Sequence, residues 1–200
     1  MRETARESRR EQIETAAYDL LAQHGYAGTS MLSIAKRAKA SNETLYRWYG
    51  DKRGLFKAMV ERNAAHVNAF LTGEIAVERR PRATIEALGP KLLGLLVGPR
   101  AIALNRAAAA DPSGELGTVI AAAGRNTVFP LIVDVFTAAQ QSGLIETKMP
   151  AGEVAEIYLS LLVGDLQIRR AIGALPRLSN AEIEQRAQRA TTLLFKITSP

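Results

Sequence analysis

Residues Thr29–Leu55 carry the most specific pattern of this chain, TSMLSIAKRAKASNETLYRWYGDKRGL. The segment predicts a short helix, a tight turn at Lys39, a second short helix that begins after Ser41, and a long helix that begins after Asp51. Small polar groups open the second helix, and aromatic and basic groups follow. This layout is typical of a helix-turn-helix, whose second helix enters the major groove of DNA.

The bulk composition fits this interpretation without establishing it. The chain has 200 residues, 47% of them hydrophobic and only 6% aromatic, which favours one large helical domain or a small module on a larger one. The formal net charge is +6. Residues 1–62 hold 12 Lys and Arg against 8 Asp and Glu, a net +4, and residues 63–200 hold 14 against 12, a net +2. The basic excess near the N-terminus suits a polyanion, but a solvated basic surface would have the same composition.

Several classes of site are excluded or not expected. The chain has no cysteine, which excludes disulfides, thiol catalysis and Cys-based metal sites. The charged N-terminus has no apolar core, so we expect no signal peptide. The best candidate for a membrane span, Leu92–Leu104, is interrupted by Gly94, Gly98 and Arg100. We therefore expect a soluble cytoplasmic protein. The two histidines stand alone, so we predict no metal and no cofactor.

Capping and breaking residues divide the whole chain into helices. The first helix should begin at a capping box that opens at Thr4 or Ser8 and end at Gly25. Thr29 or Ser30 should cap the second helix and Ser41 the third. Asp51 should cap the fourth helix, which should run to about residue 77. Proline and glycine positions divide the remainder into helices at about 82–97, 100–110, 115–141, 151–173 and 179–197. No segment shows the alternation of a strand.

The third helix carries the side chains that a DNA contact needs. Ser41, Asn42, Glu43 and Thr44 are small or polar groups at its N-terminal end, where base edges and phosphates are approached. Tyr46 and Arg47 should follow on its outer face, and Lys52 should reach the phosphate backbone as a point charge. Ordinary packing is the alternative for Tyr46 and Trp48, and for Trp48 the two interpretations have equal weight.

These residues resemble the DNA-binding domain of the TetR/AcrR family of bacterial transcriptional repressors. The family pairs an Ile-Ala-x-x-Ala helix with Leu-Tyr-x-x-Phe, followed by Lys and Leu. The matching residues are Ile34, Ala35, Ala38, Leu45, Tyr46, Tyr49, Lys52 and Leu55. The resemblance implies that Ile34, Ala38 and Leu45 belong to the core. It also implies a DNA-binding set that comprises Ser30, Lys39, Ser41, Asn42, Glu43, Thr44, Tyr46, Arg47, Trp48 and Lys52. Ser30, Thr44, Tyr46 and Lys52 would hold phosphates, and Asn42, Glu43 and Arg47 would face the groove, with Trp48 at its margin.

Three positions depart from the family pattern. Lys39 stands where the family usually has Gly, and a left-handed conformation there costs about 1 kcal/mol, which a phosphate contact could offset. Tyr49 stands in place of Phe, so its hydroxyl needs a partner or a route to solvent. Gly54 stands where Glu is more usual, and we expect it to weaken the start of the fourth helix and to ease a hinge.

The C-terminal part resembles the C-terminal domain of the AefR-like branch of the family, through residues 129–136, 143–145 and 161–167. The resemblance implies an all-α fold. Residues 1–55 would be a three-helix DNA-binding module with the helix-turn-helix, and residues 56–200 a helical effector-binding and dimerisation domain. The last two helices would form a homodimer interface through Tyr158, Leu161, Leu162, Leu166, Ala187, Ala190 and Leu194. A monomer core built from the same residues is the alternative.

The resemblance also implies a small-molecule effector site in the C-terminal domain. Candidate lining residues are His66, Phe70, Asn105, Asn126, Phe129 and Phe136, and ordinary packing or exposure is the alternative for each. The expected function is a ligand-responsive homodimeric regulator, most simply a repressor that binds a palindromic operator and is released by an apolar or amphipathic effector. Activation would suit the same fold.

Two other functional classes are alternatives for this sequence. An enzyme is disfavoured because the chain has no Ser/His/Asp cluster, no HExxH motif and no phosphate-binding glycine loop. A sequence-indifferent binder of DNA or anionic lipid would use only the basic N-terminal region. Such a binder would show similar affinity for any duplex and a steep salt dependence.

Overall fold

Helices account for all the regular structure in the computed structural model, which describes residues 2–77 and 81–198 and has no strand in those ranges. The α-helices are α1 (Arg2–His24), α2 (Met31–Arg37), α3 (Asn42–Tyr49), α4 (Lys52–Val77), α5 (Pro81–Leu96), α6 (Pro99–Ala109), α7 (Glu115–Ile120), α8 (Asn126–Gln141), α9 (Ala151–Val163), α10 (Leu166–Ala171) and α11 (Asn180–Thr198). A π-helical turn, Ala121–Arg125, joins α7 to α8. The predicted all-α class is confirmed.

The first helix begins earlier than predicted. Thr4 and Ser8 lie inside α1, which already starts at Arg2, so neither caps it. No glycine or proline precedes Gly25, and Glu7 pairs with Arg10 one turn later at 3.8 Å. Oppositely charged residues at this spacing favour continuation of a helix.

The chain packs as two units, and the first is discontinuous in sequence. It joins the residues up to Arg62 to a second segment, Ala103–Gly124. Its core contains the predicted residues Ile34, Ala38 and Leu45. Side chains of α4, α6 and α7 complete the same core, namely Leu55, Phe56, Met59, Val60, Leu104, Ala107, Leu116 and Val119. The predicted functional boundary between residues 55 and 56 stays a prediction, but hydrophobic packing does not divide the chain there.

The second unit joins Asn63–Ile102 to the residues from Arg125 onward. Helices α5, α8, α9 and α11 supply most of its core. Gly89 lets α5 approach its neighbours closely, because a Cβ there would lie 2.7 Å from the Tyr158 hydroxyl and 2.9 Å from Ala187 Cβ.

The predicted helix over residues 151–173 is two helices. Gly164 has a φ of 49° and ends α9, and α10 follows after Asp165. Arg186 Nε on α11 donates to the Leu162 carbonyl at 3.0 Å, which satisfies an acceptor at the end of α9. A Cβ at Gly164 would meet only the end of the flexible Arg186 side chain, with Nη2 at 2.9 Å, so the positive φ is what requires glycine here.

One helical stretch among the described residues, Glu115–Gln141, is long and apolar enough by composition to cross a bilayer, or two stretches if α5 and α6 count together. The sequence pointed to residues 92–104 as the best candidate for a membrane span. In the structure these residues meet the criterion only as part of the bent pair of α5 and α6. Core helices of soluble proteins meet the same criterion, so the stretch is weak evidence for a membrane. Leu116 and Phe136 within it are fully buried core residues.

Candidate nucleic-acid interface

Side-chain caps fix the starts of α2 and α3. Ser30 Oγ accepts from the Ser33 amide at 3.1 Å, and Ser33 Oγ accepts from the Ser30 amide at 3.0 Å. At α3, Ser41 Oγ accepts from the Thr44 amide at 3.1 Å, and the two hydroxyls lie 2.7 Å apart. The predicted caps at Ser30 and Ser41 are confirmed. Because each cap satisfies amides that a helix start leaves without partners, both exposed first turns are held in place.

Helix α3 separates a buried face from an exposed polar one. Leu45 is fully buried in the core of the first unit. Asn42, Glu43, Tyr46 and Arg47 are exposed, and the Tyr46 side chain keeps 50% of its accessible surface. Residues three and four apart share one face of a helix, so these four side chains form a continuous polar surface. The amide, hydroxyl and guanidinium groups on this surface are donors of the kind that a major-groove contact requires.

Lys52 is partly engaged within the protein. Its Nζ donates to the Tyr26 carbonyl at 2.9 Å and lies 3.9 Å from the centroid of the Tyr26 ring. An ammonium group has three N–H donors, so this contact leaves two of them for another acceptor. The phosphate contact expected of Lys52 stays a prediction. The contacts with Tyr26 already restrict where the ammonium group can lie.

Trp48 lies between α3 and α1. The ring is half-buried against the core of the first unit, and the guanidinium carbons of Arg6 and Arg10 lie 5.6 Å and 6.0 Å from its centroid. Cation–π contacts of this geometry stabilise an interhelical arrangement. Packing thus accounts for a tryptophan at this position, and a contact with DNA stays a prediction.

The structure contains an ion pair with a buried carboxylate that was not predicted from the sequence. Glu14 is only 3% exposed, and its carboxylate lies 3.4 Å from Arg62 Nε on α4. Arg62 also pairs with Glu7. The pair ties α1 to α4 beside Tyr49, the last residue of α3. The available signal was the position of the acidic residue, because Glu14 lies three residues before Ala17 and so on the same face of α1 as this buried side chain.

The Tyr49 hydroxyl is buried and has no hydrogen-bond partner among the described residues. Burial raises the pKa of Tyr49, and the negative charge of Glu14 raises it further. The sequence predicted that this hydroxyl would need a partner or a route to solvent. The structure provides neither in the described ranges, so the group carries the desolvation cost of an unmade hydrogen bond.

Gly54 has a steric role that differs from the expected one. A Cβ at this position would lie 2.0 Å from the Tyr49 carbonyl oxygen, closer than atoms can approach. The Gly54 amide also donates to Asp51 Oδ1 at 2.7 Å, which caps α4 as predicted. The glycine is therefore required where the end of α3 meets the first turn of α4. These contacts do not indicate the hinge that was expected at Gly54.

Five of the seven predicted dimer residues are core residues of the protomer, namely Tyr158, Leu162, Ala187, Ala190 and Leu194, each at most 2% exposed. Their side chains have no surface to offer a partner, so the prediction is wrong for these five. Leu161 and Leu166 are half-buried. Three large apolar side chains in the C-terminal region are exposed, namely Ile168, Ile172 and Ile197, which keep 61%, 70% and 53% of their accessible surface.

The six candidate effector residues differ in burial, and their role in effector binding stays a prediction. Phe136 is fully buried and packs edge-on against Tyr158, with ring centroids 5.4 Å apart, so it is a core residue rather than a lining residue. The others are exposed or half-buried, namely His66, Phe70, Asn105, Asn126 and Phe129. None of the six lines the open groove of about 830 Å³ between α5 and α11, whose walls include Glu86, Gln188 and Phe195.

Comparisons with known proteins agree with this geometry. Residues 13–59 match the family described as bacterial regulatory proteins of the tetR family. Residues 83–197, more than half of the chain, match the C-terminal domain of AefR-like transcriptional repressors.

Among curated relatives, the HTH-type transcriptional regulator BetI of Paraburkholderia phymatum is 34% identical over 84 residues, which cover 42% of this chain and 43% of that protein. The match thus spans less than half of that relative. A TetR-family transcriptional regulator of Mesorhizobium loti has a similar solved structure, with a TM-score of 0.72 and 25% identity over 95% of this chain and 96% of that one.

The transcriptional regulator FadR of Bacillus subtilis, solved in complex with stearoyl-CoA, shares the fold at a TM-score of 0.68 and 16% identity, over 92% of this chain and 97% of that one. Family matches thus cover both the helix-turn-helix and most of the C-terminal part. The chain is a DNA-binding transcription regulator and not an enzyme, and it belongs to the TetR family, with a C-terminal domain of the AefR-like type.

Proposed function

We propose that this regulator is a homodimeric repressor that binds a palindromic operator and is released by a small-molecule effector. The observation that carries the proposal is the exposed polar face of α3, with Asn42, Glu43, Tyr46 and Arg47 above a buried Leu45. The AefR-like family described as repressors favours repression over activation. We assign operator binding to residues 1–55, effector binding and dimerisation to residues 56–200, and a cytoplasmic location.

Operator binding is tested by selection from random duplex DNA with the purified protein at about 150 mM salt, where non-specific binding is weak. We expect an enriched near-palindrome with half-sites about one DNA turn apart. If bulk DNA binds and nothing is enriched, the protein is a sequence-indifferent binder and the proposal fails.

Substitutions on α3 then test which face reads DNA. Asn42→Ala and Arg47→Ala should each weaken binding to the selected duplex by about 10-fold or more and relax the preference at one base position. Lys57→Ala is a matched control, since Lys57 is an exposed cation of the same unit that pairs with Glu61 at 3.7 Å. Equal losses in Arg47→Ala and Lys57→Ala, with no loss in the neutral substitution Asn42→Ala, would indicate a general charge effect and contradict base reading by α3.

Dimerisation is argued from the exposed isoleucines near the C-terminus. Ile168 and Ile172 lie one helical turn apart on or just after α10, so the two side chains adjoin on the surface, and contiguous exposed apolar side chains mark interaction sites more often than single ones do. We expect sedimentation to give a dimer and Ile172→Glu to shift it towards the monomer. Leu32→Glu is the control, because Leu32 is 53% exposed but lies on α2. A dimer that survives Ile172→Glu would place the interface elsewhere.

The effector is proposed to be a small apolar or amphipathic molecule bound in the C-terminal domain. The support is the shared fold with FadR of Bacillus subtilis, which was solved with stearoyl-CoA. A ligand acts only through its different affinities for the DNA-bound and released arrangements. Because FadR was solved with stearoyl-CoA, this compound is the first probe to use, and we expect it to release the protein from the selected duplex. Phe129→Ala should weaken that release. If no long-chain acyl compound releases the protein, long-chain acyl effectors are excluded, and if no apolar or amphipathic compound does so, the proposed effector class is overturned.

A further inference from the structure

Arg9 on α1 contacts the turn between α2 and α3. Its Nη1 donates to the Ala38 carbonyl at 3.2 Å and to Gln12 Oε1 at 2.8 Å, and its Nη2 donates to the Lys39 carbonyl at 2.5 Å. One half-buried guanidinium thus bridges two successive carbonyl groups. Arg9 lies outside the family match, which begins at residue 13.

The turn has a specific need for such a contact. Lys39 has a φ of 51° and is the one non-glycine residue with positive φ in the described ranges. The Ala40 amide donates back to the Ala35 carbonyl at 2.9 Å, which closes the end of α2 around the left-handed residue. This closure directs the Ala38 and Lys39 carbonyls away from the helix. A cation at a helix C-terminus is favourable because the last carbonyls carry partial negative charge.

The position of α3 depends on this turn. Helices α2 and α3 have only 7 and 8 residues, and helices of this length are not stable alone. Ser41, the cap of α3, follows Lys39 by two residues. A change in the turn therefore moves the first turn of α3, where Asn42 and Glu43 lie.

We propose that Arg9 is a positioning residue for DNA recognition. Its guanidinium holds the left-handed turn at Lys39 and thereby sets the entry of α3 into the groove, without itself contacting DNA. Arg9 compensates for the lysine that stands where a glycine would adopt this conformation without strain. The inference rests on the proposed DNA-binding role of α3.

The experiment uses the full-length protein with Arg9→Gln, Arg9→Lys, Lys39→Gly and the double variant Arg9→Gln/Lys39→Gly. Hydrogen exchange of the amides at residues 39–42 is measured without DNA, and the affinity for the selected duplex is measured at several salt concentrations. Arg9→Gln should speed exchange in the turn and weaken binding about 5- to 10-fold, with an unchanged salt slope. In the Lys39→Gly background the same substitution should cost much less, because glycine relieves the strain.

Arg9→Lys separates positioning from phosphate contact. A lysine keeps the charge but cannot bridge two carbonyls with a planar fork, so it should behave like Arg9→Gln. Near wild-type binding by Arg9→Lys, or a salt slope reduced by about 0.9 in Arg9→Gln, would show a phosphate contact and overturn the inference. Unchanged exchange in Arg9→Gln, or equal losses in both backgrounds, would do so as well. The exchange measurement stands even if no duplex is selected, so failure of the DNA-binding proposal is recognised separately.

Discussion

The structure predicts opposite responses to the same substitution at two tyrosines whose hydroxyl groups are buried. The Tyr49 hydroxyl has no hydrogen-bond partner among the described residues. The Tyr158 hydroxyl donates to the Ile85 carbonyl at 3.3 Å and lies 3.4 Å from the Thr191 hydroxyl. An unmet buried polar group costs about 1–3 kcal/mol, and a hydrogen bond contributes about 0.5–1.5 kcal/mol. We expect Tyr49→Phe to raise the free energy of unfolding by about 1 kcal/mol and Tyr158→Phe to lower it by about as much.

Thermal unfolding followed by fluorescence and by circular dichroism would measure both changes. Trp48 is the only tryptophan in the chain, and it lies next to Tyr49 in the first unit. For a chain of this size, about 1 kcal/mol corresponds to a shift in Tm of about 2–4 °C. Tyr158→Phe is expected to lower the Tm measured by circular dichroism. If Tyr49→Phe likewise lowers the Tm measured by Trp48 fluorescence, the Tyr49 hydroxyl has a partner and the reasoning is refuted.

The same substitution has a consequence at alkaline pH. Burial, and then the charge of Glu14, raises the pKa of Tyr49 above its ordinary value of 10.0. A group whose pKa is raised in the folded state contributes stability that is complete below the unfolded pKa and is lost as the pH rises through the folded pKa. Stability should therefore fall less steeply above pH 10 in Tyr49→Phe than in the wild type. Parallel curves for the two proteins would contradict the assigned environment.

Three further substitutions test other features. Leu116→Ala should destabilise the first unit by about 3 kcal/mol in denaturant unfolding followed by Trp48 fluorescence, because the side chain is fully buried there; an unmoved transition would contradict the discontinuous unit. Gly54→Ala should lower both Tm and affinity for the selected duplex, since its Cβ would meet the Tyr49 carbonyl; wild-type values would show that the close approach relaxes freely. Hydrogen bonds from the Ser113 hydroxyl and nearby amides lower the pKa of Asp111 below 3.8, so its contribution is present above that pH and lost as the pH falls through the folded pKa. Asp111→Asn should therefore flatten acid unfolding curves, and an unchanged acid limb would argue against these hydrogen bonds to the Asp111 carboxylate.

Local patterns predicted the helix-turn-helix well, because its determinants lie close together in sequence. Ser30 and Ser41 cap the predicted helices, and Leu45 is buried while Tyr46 is exposed, as expected from helical periodicity. The left-handed turn at Lys39 was also foreseen as a possibility from the family pattern. The contact that compensates for this turn was not predicted, because Arg9 lies 30 residues away from Lys39 in the chain.

Long-range packing could not be inferred from apolar periodicity alone. Tyr158 and Leu194 were assigned to a dimer interface, although both are buried in the protomer. An apolar helix face has the same sequence whether it meets its own core or a second subunit. Gly54 was misjudged for a similar reason, because a close approach between the end of one helix and the start of the next is invisible in composition.

The discontinuous first unit limits how this regulator can be recombined with others. A chimera that joins residues 1–55 to a foreign sensor domain would separate Ile13, Ile34 and Leu45 from the side chains of Ala103–Gly124 that complete their core. The exposed apolar surface would reduce stability and solubility even if the new sensor folds well. Transfer of residues 1–62 together with Ala103–Gly124 would keep that core intact, so exchange of specificity requires two crossover segments rather than one.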